Sequence, residues 1–349
     1  MIVSRPWYHS GLCVVMFGTC GLGLSGVVAG RAEPSATKDG EPVAKTSPTR
    51  LRAALELAEK KVKSPLAPAT VKQAGKVHVV LNVEFQKPAD AQFNHPDASL
   101  ISRYDRFMDV LVEATKLKAI RNDLAKAPGL LWYDVGEEVV APPRPVPMPG
   151  KLLDTPGLEK TARGGEGQLK NRTGKGVIIA VIDSGVDFRN PAFISTAEGR
   201  KESRFAYFWD TTAPAKPKGE QPPVKYPDGT RIGAIYTRTE LTAALPKGGN
   251  VLQDPDELGH GTACAGIAAG NNGESPLAAG VAPDADLIAV RIGGAGSTLP
   301  NAFLLNSIIE WVHEKAGAQS AVVSCSFGGQ MFGRDGHAVA ERRLDELGV

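Results

Sequence analysis

Gly259-His260-Gly261-Thr262-Ala263-Cys264-Ala265-Gly266-Ile267-Ala268-Ala269-Gly270 sets a histidine between two glycines and then runs into small side chains. The glycines let backbone come close to the imidazole. The Ala/Gly/Cys run suits a helix packed tightly under an active site. Earlier in the chain, Gly176-Val-Ile-Ile-Ala-Val-Ile-Asp183-Ser184-Gly185-Val186-Asp187 is an apolar run ending in an acid and a glycine turn. That pattern reads as a buried strand. Its acid falls at the strand's carboxyl end, where open α/β sheets place their chemistry. Alone, Asp183 could be a turn former and His260 a satisfied core histidine. The two motifs together, in this order, point to an active site.

Asp183 in D-S-G-V-D and His260 in G-H-G-T resemble the first two triad members of the subtilisin-like serine proteases, whose triad runs Asp, His, Ser along the chain. Three more segments are similar to the family's next buried strands and its substrate-lining strand: Gly280-Val-Ala-Pro283, Leu287-Ile-Ala-Val-Arg291 and Val322-Val-Ser-Cys-Ser326-Phe327-Gly328-Gly329. The resemblance implies an α/β fold, a parallel sheet with helices on both faces, over residues 151–349. It implies an exported serine endopeptidase in which His260 is the general base and Asp183 orients its ring. It also implies that Gly296, Ser297, Ser326, Phe327 and Gly328 flank a bound peptide, whose backbone would add to theirs as a strand. Asp187 and Asp256 fit the extended motifs D-x-G-x-D and D-x-x-G-H as structural or calcium-linked residues. Ala263 stands where the family usually repeats a histidine. No metal site or cofactor is expected, although a structural calcium cannot be read from such a pattern. The expected partners are a peptide or protein substrate and the chain's own propeptide, in a monomer.

The family's nucleophile pattern, G-T-S-x-A-x-P, and its oxyanion asparagine pattern, A-x-G-N, do not occur among the 349 residues. Ser25 lies in an apolar leader, Ser297 precedes Thr-Leu-Pro, and Ser324 and Ser326 belong to a strand. The expectation is an inactive fragment of a longer protease. The alternative is a catalytically dead binding module.

Composition fits a globular α/β protein: 42% hydrophobic residues with 39 Gly and 26 Pro. A formal charge of +2 argues against nucleic-acid binding driven by charge. Arg5 and His9 precede an uncharged stretch from Gly11 to Gly30 that ends in small residues. Residues 1–30 therefore read as an export signal, with an uncleaved anchor as the competing reading. Cys13 and Cys20 fall inside it, leaving Cys264 and Cys325, which make no disulfide framework. Whether those two pair is left open. Cys264 follows His260 by one helical turn, on the same face. It resembles the cysteine of a thiol-containing branch of the family, and a small buried apolar role is the expectation.

Residues 31–75 are polar and Pro-rich, a linker expected to be disordered, with a short helix over Leu51–Lys63. From Lys76, the alternation of Val77, Val79, Leu81, Val83 and Phe85 predicts a half-buried strand. Leu100, Tyr104, Met108 and Leu111, then Leu117, Ile120 and Leu124, predict helix up to Pro128-Gly129. Leu130–Val140 predicts a further strand or hairpin. Residues 76–141 thus form a small α/β domain, placed where the family carries its propeptide. The Pro-rich residues 142–150 mark the boundary, and autoprocessing is expected between there and about Thr155. Residues 193–257 are expected to be a polar insertion whose aromatics pack locally. The glycines of Gly293–Thr298 lack the Lys-Ser/Thr of a phosphate loop. Asn301–Glu314 and the stretch from Ala338 predict helices.

Overall fold

The computed structural model describes residues 12–16, 70–73, 75–135, 139–140, 173–197, 199–226, 228–245, 252, 255–271, 280–293, 298–299, 304–327, 339, 342–343 and 346. The expected Leu51–Lys63 helix, most of the leader and linker, and the Pro-rich boundary lie outside these residues. No described helix is long and apolar enough to cross a membrane.

The larger sheet is built on β8 (Val177–Asp183). Parallel partners flank it: β15 (Ser320–Cys325) on one side and β13 (Asp286–Arg291) on the other. Beyond β13 come β11 (Phe205–Asp210), parallel to it, and β12 (Ala234–Thr237), antiparallel to β11. Beyond β15, β1 (Leu12–Met16) pairs in parallel along five residues, so part of the apolar leader forms the edge of this sheet. The chain leaves β8 towards β11 and β13, then returns to the opposite side at β15. The order reverses at β8, which opens a crevice at its carboxyl end.

Both faces of this sheet are covered, which is why its strands read as unbroken apolar runs rather than alternations. Ile178, Ala180 and Ile182 of β8 and Ile288 and Val290 of β13 point to one core, together with Ile308, Ile309, Trp311 and Val312 of the helix Leu305–Ala316. Ile179, Val181, Leu287 and Ala289 point to the other, with Phe188, Phe193, Phe205 and Phe208. The register of β11 shifts between Phe205 and Tyr207, a bulge that re-aims the following side chains. Phe205 and Phe208 thereby face one core while Trp209 faces the other.

The residues 193–257 expected as a polar insertion therefore contribute two strands of the central sheet, after a hairpin of β9 (Ile194–Ala197) and β10 (Arg200–Ser203). Phe205, Phe208 and Trp209 are fully buried. Their packing is partly local, as expected: Phe205 lies edge-on to Phe193, with ring centroids 5.3 Å apart. Trp209, however, reaches across to Trp311 at 5.2 Å.

The smaller domain is an antiparallel sheet centred on β3 (Lys76–Phe85), the strand expected from its alternation. β2 (Thr70–Gln73) and β6 (Leu130–Val135) pair along one edge of β3, and β5 (Phe107–Glu113) with β4 (Ala98–Tyr104) along the other. The first part of the expected helix is thus the β4–β5 hairpin. Its tight turn holds Asp105 at φ 49°, and β5 carries β-branched Val110 and Val112, which favour a pleated, half-buried position. Only Leu117–Leu124, here α1, is α-helical, with Leu117, Ile120 and Leu124 buried as expected. α1 covers the face carrying Val79, Leu81, Val83, Met108 and Val110. Val80, Ile101 and Leu111, from the opposite face, join the core cluster that contains the helix Leu305–Ala316. The strand expected to be half-buried is therefore buried on both faces.

Candidate functional site

Asp183 ends β8 at the crevice and is almost fully buried. His260 opens the helix His260–Ala269, numbered α3 after α2 (Arg238–Ala244). Its Nδ1 donates to Asp183 Oδ1 at 2.8 Å. In the neutral ring this leaves Nε2 as the acceptor, the tautomer a general base needs. Asp183 Oδ1 also accepts from the Ser184 amide at 2.7 Å.

Glycine is required where α3 approaches β8. A Cβ on Gly261 would lie 2.0 Å from the Gly185 carbonyl oxygen and 2.9 Å from Asp183 Cβ. One on Gly185, itself at φ 123°, would lie 1.8 Å from the Pro255 carbonyl oxygen. Gly261→Ala must therefore push His260 away from Asp183, and a displacement near 1 Å costs roughly 10²-fold in rate. Gly266→Ala is the control, because its Cβ would enter open space. Equal peptide-hydrolysis rates for the two variants would contradict this reading.

Asp256 ties the two motifs together. Its carboxylate accepts from Ser184 Oγ at 2.7 Å, the Gly259 amide at 3.0 Å, the Thr262 amide at 2.8 Å and Thr262 Oγ1 at 2.5 Å. Ser184 Oγ in turn accepts from the Gly261 amide at 3.2 Å. Asp256 thus caps the first turn of α3, a structural role as expected, and its lone pairs are already engaged by the protein. Asp187 pairs with Arg189 Nε at 2.8 Å.

Arg204 holds the other end of α3, donating to the carbonyls of Ala192 (3.2 Å), Ala269 (2.5 Å) and Ala285 (2.8 Å). Arg291 braces the loop before His260 by donating to Glu257 at 2.9 Å. Sequence reading passed over Ser184, Arg204 and Arg291. The signal for Ser184 was its position inside D-S-G. Arg204 and Arg291 act on main-chain carbonyls or distant acids, which leave no local signature.

Cys264 Sγ lies 3.8 Å from His260 Nδ1 and 3.9 Å from Nε2. Cys264 and Cys325 are both free thiols, and burial pushes the Cys325 thiol well above the ordinary range. Asp183, His260 and Cys264 offer ligand atoms within 4.8 Å of one another. A borderline metal such as zinc would suit that set, but it would take the lone pairs that the dyad uses. The hydrogen bond to Asp183, then that to Cys264, pushes the His260 pKa up to about 10, against the effect of burial. Cys264→Ala should lower the His260 pKa and shift the acidic limb of kcat/KM to lower pH. A pH–rate profile that superimposes on wild type would contradict this.

Ser326 and Phe327 directly follow β15 at the crevice end, Ser326 half-buried and Phe327 buried. Gly296, Ser297 and Gly328 lie outside the described residues. Next to Ser297, β14 (Thr298–Leu299) pairs antiparallel with β7 (Val139–Val140) of the same chain, Thr298 opposite Val140. Among the described residues, only Asp183 and Cys264 side chains hydrogen-bond the His260 ring.

Residues 174–345 match the model of the subtilase family. This segment belongs to the subtilases. Solved structures similar to the chain include the CspB protease of Clostridium perfringens, with 22% identity, TM-score 0.40, and coverage of 51% of this chain and 35% of that one. Another is fervidolysin from Fervidobacterium pennivorans, a keratinolytic enzyme related to subtilisin, with 17% identity, TM-score 0.44, and coverage of 82% of this chain and 41% of that one. The match thus spans well under half the length of either protein. No curated protein matches the sequence. Within the subtilase segment, Asp183 and His260 meet at the sheet position where the reversal of strand order opens the crevice.

Proposed function

We propose that this chain carries the acid–base half, Asp183 and His260, of an exported serine-type endopeptidase. The observation that carries the proposal is the buried 2.8 Å contact between His260 Nδ1 and Asp183 Oδ1. In the reaction, His260 Nε2 takes the proton of the attacking serine and returns it to the leaving amine. Asp183 holds the tautomer and stabilises the imidazolium. Because the dyad keeps His260 protonated through neutral pH, the free base appears on the alkaline side, and hydrolysis should rise with pH above 6.5.

The substrate would bind as an extended strand along Thr298–Leu299, an edge on which Val139–Val140 now pairs. Residues 76–141 would act as a propeptide. In support, that domain's sheet shares a core cluster with the helix Leu305–Ala316, and the strand that follows it lies on the proposed substrate edge. The apolar leader would direct export.

The test is hydrolysis of an unfolded protein such as casein by the native gene product. Activity that disappears in His260→Ala supports the proposal, and activity that survives in the variant overturns it.

A further inference from the structure

The two domains meet through a buried cluster of charge. Call the helix Leu305–Ala316 α4. On the sheet face turned away from α1, Glu84 is fully buried and Asp109 nearly so. Glu84 is met by Arg106 at 3.0 Å and by Arg342 at 2.7 Å. Asp109 accepts from Asn82 at 2.7 Å and from Ser102 at 2.5 Å, and lies 3.5 Å from Arg343. Arg343, 1% exposed, also bonds Glu310 of α4 and lies over the rings of Tyr104 and Phe107, at 5.6 and 5.7 Å. Glu346 completes the cluster through Arg106. Val339, Arg342, Arg343 and Glu346 are each helical.

Among the described residues, four carboxylates (Glu84, Asp109, Glu310 and Glu346) face three guanidiniums (Arg106, Arg342 and Arg343). Glu346 is 37% exposed, but Asp109 is buried and Glu310 nearly so, and the two share a single guanidinium, Arg343, which leaves one negative charge there. Burying an uncompensated charge is costly, and a carboxylate relieves that cost by taking a proton. We infer that docking of the N-terminal domain onto α4, Arg342 and Arg343 is coupled to uptake of one proton by this cluster, so that the domain is held more tightly as the pH falls.

Glu310 is the group best placed to take the proton. Among the described residues it is opposed only by Arg343, which it shares with Asp109, whereas Glu84 meets two arginines, one of them shared with the exposed Glu346. Burial pushes the Glu310 pKa up to about 7, with Arg343 opposing the rise and Asp109 adding to it. Burial also raises the pKa of Glu84, against Arg342 and Arg106. For an acid whose pKa is raised in the docked state, that state binds the extra proton between the ordinary carboxylate value and the raised one. Docking therefore weakens as pH rises through that window, by at most about tenfold per pH unit for one proton, and levels off above it. The inference concerns a contact within this chain and does not require peptide hydrolysis.

The test uses the full chain with a site for a sequence-specific protease inserted after Pro149. The chain is cut once, and retention of the N-terminal piece is measured on dilution between pH 5 and pH 8.5. Wild type should lose affinity by up to about tenfold per pH unit between pH 5 and 7, with a plateau above. Glu310→Gln, which mimics the protonated acid, should stay docked with no slope. A flat wild-type profile would overturn the inference, as would an unchanged slope in Glu310→Gln. Should that variant fail to fold, the wild-type slope alone decides.

Discussion

Asp183→Asn should leave the fold in place and lower peptide hydrolysis by the native gene product about 10⁴-fold, because an amide at this position favours the wrong imidazole tautomer. Asp183 now accepts from His260 Nδ1. An asparagine can turn its NH₂ towards that nitrogen and force the proton onto Nε2, where it blocks general-base catalysis. The substitution also removes the largest cause of the raised His260 pKa. The sign of the stability effect follows. A histidine whose pKa is raised on folding contributes stability that is fully present below the unfolded value near 6.5 and is lost as pH rises towards the folded value. The stability gap between wild type and variant should therefore narrow from neutral to alkaline pH. Rates and urea midpoints measured across that range check both parts. A variant within tenfold of wild-type activity would contradict the assignment.

Trp209→Ala should cost about 3–5 kcal/mol of unfolding free energy, the range for emptying a large aromatic site in a packed core. Trp209 is fully buried, donates from Nε1 to the Ile232 carbonyl at 3.0 Å and packs edge-on against Trp311 of α4. Its loss would leave a cavity between β11 and α4 and an unpaired carbonyl, so the sheet and its covering helix would both lose contact. Ile267→Ala, at a side chain 71% exposed on α3, should stay within about 0.5 kcal/mol of wild type. Denaturant unfolding reads both variants. A loss under about 1 kcal/mol for Trp209→Ala would mean that β11 is peripheral after all.

The dyad was legible because each half sits in a short motif whose glycines have a local cause. Gly261 and Gly185 mark places where two backbones touch, and such places tolerate no side chain whatever surrounds them. The β8 and β13 strands were legible as apolar runs for a related reason, burial on both faces.

What sequence reading missed was decided at a distance. Leu100, Tyr104, Met108 and Leu111 fall at helical spacing, yet Leu100 and Tyr104 are exposed on a strand. The pattern was a coincidence, and pairing with β3 overrode it. Phe205–Asp210 lies among polar turns, so its place beside β13 shows only in the sheet order. Glu84 and Asp109 carry no local sign of burial, because Arg342 and Arg343 reach them from far along the chain.

The most direct test of the Asp183–His260 coupling is the titration of the His260 ring followed by NMR on this chain, in wild type and in Asp183→Asn. The coupling requires a wild-type pKa well above 6.5 that falls in the variant, with the Nδ1 proton protected in wild type only. A wild-type value at or below 6.5, unchanged by the substitution, would contradict it.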